Sequence, residues 1–84
     1  MSNHPTSLYG IPPAELGRQL AGMRYDALAT VLQALGAKLL QDGDADRDRS
    51  RVKLSGSLYG AAFDVNSASE DITDAWKICE PHEV

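Results

Sequence analysis

The chain has no second cysteine, no apolar stretch approaching membrane-spanning length, and no proline between Pro13 and Pro81. Each absence excludes something. A single Cys79 forbids an intramolecular disulfide. A lone thiol also fits a reducing compartment. A transmembrane helix needs about 20 consecutive apolar residues, and none is present. No basic start followed by an apolar segment marks a secretory signal. The expectation is a cytoplasmic protein with no membrane partner. Metal and catalytic signatures are missing too. His4 and His82 lie near opposite ends of the chain and make no recognised ligand spacing with Cys79. There is no nucleophile elbow, no glycine-rich phosphate loop and no pair of histidines on one helical face. No catalytic, metal-binding or cofactor-binding residue is assigned, and a non-enzymatic protein is expected.

With 84 residues the chain makes a single domain, 1–84, whose core is thin. Small scaffolds of this kind need a staple, and with disulfide and metal set aside the one left is a second copy of the chain. The net charge of −4 is unevenly placed. From Asp42 to Lys53 acids and bases alternate. From Asp64 onward, Asp64, Glu70, Asp71, Asp74, Glu80 and Glu83 face only Lys77. Phosphate binding requires clustered Lys and Arg, so this end disfavours nucleic acid and suits a basic protein surface.

Hydrophobic spacing predicts helices throughout. Residues 1–11 read as a tail, with Leu8, Tyr9 and Ile11 available to pack back on the body. Pro12 and Pro13 open a short helix over 13–22, since proline is tolerated in the first turn. Glu15 complements its dipole, Leu16, Leu20 and Met23 share a face, and Gly22 ends it. A long helix follows over 24–47, with Tyr25, Leu28, Leu32, Leu35 and Leu39 at alternating steps of 3 and 4. The segment 42–51 has two readings. It is either a loop of about ten residues around Gly43 or a continuation of the helix carrying i, i+3 Asp–Arg pairs. Helix to Arg47 is preferred, with the turn at Asp48–Val52. The third helix, 52–80, carries Leu54, Leu58, Ala61, Val65, Ala68, Ile72, Ala75 and Cys79 on one template, and Pro81 stops it. Cys79 reads as a small hydrophobe on that stripe.

The expected architecture is all-α: a short N-terminal helix followed by a long antiparallel helical hairpin. Two amphipathic helices bury one stripe each, so two hairpins are expected to dimerise into a four-helix bundle. The aspartate run 42–48 resembles the start of a calcium loop. It fails at the required sixth and twelfth positions, which hold Arg47 and Lys53 or Arg49 and Ser55. Tyr59 and Phe63, at i, i+4, share a face off the leucine stripe. They either cover the first helix or mark a second interface. Glu70, Asp71 and Asp74 form an acidic patch on the outside of the same helix. The candidate partner-binding residues are therefore Tyr59, Phe63, Glu70, Asp71 and Asp74.

The hairpin with its Arg/Asp-rich turn, ending in Ala75-Trp76-Lys77-Ile78-Cys79-Glu80-Pro81, resembles small α-helical proteins of bacterial phages and mobile elements, such as anti-CRISPR proteins. The resemblance covers about Tyr25 to Pro81 and carries no functional residues across. It implies a stoichiometric inhibitor of a host defence complex, with a larger host protein as partner. Two alternatives remain: a nucleic-acid-associated regulator using Arg47, Arg49, Arg51 and Lys53 at the tip, and a non-catalytic subunit of a larger complex.

Overall fold

A computed structural model describes residues 3–82. Three helices follow one another: α1 (Pro13–Ala21), α2 (Tyr25–Asp48) and α3 (Val52–Cys79), with a closing 3-10 turn at Glu80–His82. No strand occurs among the described residues. The fold is the expected all-α one, a short helix and then two long packed helices.

Each boundary has a local cause. Pro13 stands in the first turn of α1, and the Gly22 N–H caps its end on Arg18 and Gln19 carbonyls. Continuation of α2 through Gly43 to Asp48 resolves the Asp-rich segment in favour of helix. The helix then stops in a Schellman arrangement. Ser50, at φ 61°, donates its N–H to the Arg47 carbonyl, and the Arg51 N–H reaches back to that of Asp46. Asp46 is itself buried and takes the Arg51 guanidinium at 3.3 Å, which ties the turn to the helix it ends.

The line where the helices meet is made of small residues. Buried on α2 are Ala29, Gly36 and Gly43, besides Asp46; buried on α3 are Ser55, Ala62 and Ser69. Each trio is spaced by seven, so each forms one line along its helix. A Cβ at Gly36 would stand 2.5 Å from Asn66 Oδ1 and 3.6 Å from the Ala62 carbonyl oxygen. At Gly43 it would stand 2.9 Å from two ring carbons of Tyr59. The backbones therefore approach to about 8 Å between axes, the near end of the usual range. The seam serines leave no polar debt: Ser55 Oγ donates to the Val52 carbonyl and Ser69 Oγ to that of Asn66.

The leucine stripes are displaced from this seam. Leu58, Val65, Ile72 and Cys79 fall three positions after seam residues of α3, or their heptad equivalent, and Leu54, Ala61, Ala68 and Ala75 one before. On α2, Leu32 and Leu39 fall three after, Leu28 and Leu35 one before. In an antiparallel pair these flanks turn to the same side, so they merge into one apolar face beside the seam. Leu28, Leu32, Leu39, Leu58, Val65 and Ile72 are half-buried there, while Tyr25, Leu35 and Leu54 are exposed. Ala29 and Ala62 are the only buried apolar residues among those described.

The N-terminal segment lies on this side without sealing it. His4 borders an open hollow with Lys38, Asp42, Leu54 and Leu58, and Gly22–Tyr25 border another with Cys79 and His82. The segment thus runs from the tip of the hairpin to its base. Leu16 and Leu20 are half-buried, but α1 has no buried residue and little close backbone contact with the hairpin. Tyr9 does not pack back. It stands 99% exposed at the tip of a tight turn closed by the Leu8–Ile11 bridge.

Two glycine substitutions should move stability in opposite directions. Gly43→Ala pushes a methyl into the Tyr59 ring and should cost roughly 1 to 2 kcal/mol, despite alanine's better helix propensity. At Gly60, where a Cβ meets nothing within 4 Å, alanine should gain up to about 1 kcal/mol. Urea-unfolding midpoints of the two variants check both signs.

Candidate functional site

Two clasps hold the ends of the hairpin. At the base, Arg24 grips both carboxylate oxygens of Asp26 at 2.7 and 2.8 Å. Its guanidinium also lies 5.1 Å from the centroid of the Trp76 ring, so α2 is pinned to the end of α3. The Arg24 hydrogen bond holds the Asp26 carboxyl below its usual range, with the Ala27 N–H adding to it. Toward the tip, Tyr59 of α3 donates its phenolic hydrogen to Asp44 of α2 at 2.5 Å. The Arg47 guanidinium stands 5.9 Å from the centroid of the same ring. The Asp44 carboxylate raises the Tyr59 pKa first, and partial burial adds to the rise, against the opposing charge of Arg47.

The five residues singled out from the sequence occupy different surroundings. Tyr59 is half-buried, laid over Gly43 and bound to Asp44, so its own chain occupies it. It does not cover α1, because it lies on the side away from the N-terminal segment. Phe63, one turn on, is 72% exposed. Glu70 continues the Phe63 line seven residues later; Asp71 and Asp74 lie further round α3, and all three are exposed. With Asp64, these acids form no ion pair among the described residues.

The arginine-rich tip is partly neutralised from within. Arg47 reaches Asp44 at 3.7 Å as well as the Tyr59 ring, and Arg51 holds Asp46. Where side-chain hydroxyls of Ser and Thr bond, they bond to carbonyls of their own helix. Cys79 does likewise, its thiol facing the Trp76 carbonyl at 3.7 Å. No group of three or more His, Cys, Asp and Glu converges among the described residues. No helix is long and apolar enough to cross a membrane.

What remains on the surface is the apolar face: Tyr25, Leu28, Leu32, Leu35 and Leu39 of α2 beside Leu54, Leu58, Val65 and Ile72 of α3. Its residues were visible in the sequence as the leucine stripe, but as a core and not as a surface. What sequence reasoning missed was the seam beside it and the clasps. A seven-residue spacing of Ala29, Gly36 and Gly43 was the available signal for the first.

Tyr59 should ionise above the usual phenol range, and Tyr59→Phe should remove that step from a tyrosinate-absorbance titration. A raised phenol pKa means that the neutral form stabilises the fold. That stability is complete below pH about 10 and is lost as pH climbs through the raised value. Tyr59→Phe should therefore flatten the alkaline loss of stability measured by urea unfolding across pH.

No protein-family model, no curated protein and no solved structure matches this chain, so its function is read from the residues alone.

Proposed function

We propose that the chain is a non-enzymatic protein-binding module whose working surface is the apolar face of the α2–α3 hairpin. One observation carries this reading: no large apolar side chain on that face is buried. The accessible surface of the chain is 6479 Å², against about 4,900 Å² for a compact protein of 9.0 kDa. The open apolar face is part of that excess, and a contiguous exposed apolar patch is characteristically a docking surface.

A module of this type acts stoichiometrically, by covering a surface, which is the mode that the anti-CRISPR resemblance implies. A second copy of the chain and a larger host protein are the partners that such a face admits. Phe63, with Glu70 on the same line of α3, offers a smaller contact on the opposite side. The Asp44–Arg47 and Asp46–Arg51 pairs weigh against the nucleic-acid alternative, because they occupy two of the four tip cations.

Photo-crosslinking in bacterial cells tests the proposal. A photo-reactive residue in place of Leu35 or Leu54 should capture protein, whether self or foreign. The same residue in place of Gln41, on the back of α2, should capture little. Equal and negligible capture at the three positions would sink the proposal.

A further inference from the structure

We infer that the occupant of the apolar face is a second copy of this chain, packed face to face with the two hairpin tips together, so that α2 of one protomer lies on α3 of its partner. This rests on the binding role proposed above and names the partner.

The first argument is area. Two separate copies expose about 13,000 Å², while a compact particle of twice the mass exposes about 8,000 Å². The difference, near 5,000 Å², lies at the upper end of the range for obligate homodimers, roughly 2,000 to 5,000 Å². Packing that recovers only half of it still makes a stable dimer interface. The shape fits as well. Small seam residues hold α2 and α3 close along the hairpin. Two such layers stack into a four-helix bundle with Leu28, Leu35, Leu54 and Leu58 inside. The α1 helix holds no buried residue and joins α2 through Gly22. It is the part of the chain that yields to the partner.

The second argument is charge, and it selects one arrangement. Outside the apolar flank, two positions after each seam residue, runs an edge. On α2 this edge holds Lys38; on α3 it holds Asp64 and Asp71. The α2 edge is basic and the α3 edge acidic. Face-to-face packing about an axis parallel to the helices keeps the tips together and sets the α2 edge against the partner's α3 edge. With Gly36 against Asn66 and the Ala62 carbonyl oxygen, Lys38 then comes within about one turn of the partner's Asp64. The other twofold packing, tips opposed, sets acidic edge against acidic edge and basic against basic. Rim pairs of this kind add little affinity, but like charges reject the wrong orientation. Within one chain Lys38 already holds Asp42, while Asp64 and Asp71 have no basic partner among the described residues. The dimer supplies one to Asp64.

Sedimentation equilibrium of the full chain tests this. The wild type should sediment at twice the monomer mass at micromolar concentration. Leu35→Glu should return it to monomer with an unchanged helical circular dichroism spectrum. Lys38→Asp and Asp64→Lys should each weaken the dimer about tenfold. Mixing those two single variants should restore wild-type affinity, because the heterodimer regains both opposite-charge pairs. A dimer indifferent to Leu35→Glu, or a mixture no tighter than its components, would overturn the proposal. So would a monomer at every concentration. Foreign cross-links at positions 35 and 54 of such a monomer would leave the protein-binding role standing, and their absence would remove both.

Discussion

The close approach of two helix backbones at Gly36 and Gly43 governs the rest of this molecule. A seam of Gly, Ala and Ser admits no large side chain between the helices, so the leucines of α2 and α3, Leu40 excepted, gather on one side of it. The hairpin is consequently held by many short contacts along its length and by little hydrophobic burial. Serine suits such a seam because its hydroxyl returns to its own helix: Ser55 and Ser69 are both buried and both bonded in this way. The clasps are the natural complement. Arg24–Asp26–Trp76 at the base and Asp44–Tyr59–Arg47 toward the tip join the helices where fraying would otherwise start.

The fold was legible in the sequence because a seven-residue repeat is hard to hide. Leu54 to Cys79 on α3 and Tyr25 to Leu39 on α2 announce two long helices, and Pro12, Pro13 and Pro81 bound them. Which line of the repeat faces the other helix was not legible. Hydrophobicity marks Leu58, Val65 and Ile72, whereas the residues in contact are Ser55, Ala62 and Ser69, which carry almost no hydrophobic signal. Gly43 misled for the same reason. In an Asp-rich run it reads as a break or a cost, and in the structure it is where Tyr59 lies across α2. The Tyr59–Phe63 pair shows a further limit. Their i, i+4 spacing places both on one face, but only the position of Gly43 and Asp44 on the other helix shows that Tyr59 is spoken for and Phe63 is not.

The two sides of the hairpin differ in how far they are satisfied. On the side of Tyr59, the Tyr59 hydroxyl joins α3 to Asp44 of α2 across the seam, and Arg47 is engaged with Asp44 and the Tyr59 ring. On the leucine side nothing equivalent happens. α1 crosses it with Leu16 and Leu20 half-buried, which shields part of the face and closes none of it. Conformational entropy sharpens the contrast. Ordering a helix costs roughly 1 to 2 kcal/mol per residue in backbone freedom, and burial on this side is slight. Burial against a partner would add to this side, which is the physical reason for reading the open face as a docking surface.

The same repeat that makes the seam also places the face and the charged edge, since all three are successive lines of one heptad. Seam, face and edge are therefore mechanically linked. A larger residue at Gly43 would move Tyr59 and widen the gap between α2 and α3, and the leucine flanks would separate with it. The edge carrying Lys38 and the edge carrying Asp64 would then stand further apart. Seam residues thus set the dimensions of the face proposed to dock. A narrow seam of small side chains fixes the width of the layer, and with it the spacing of the leucines that a partner would cover.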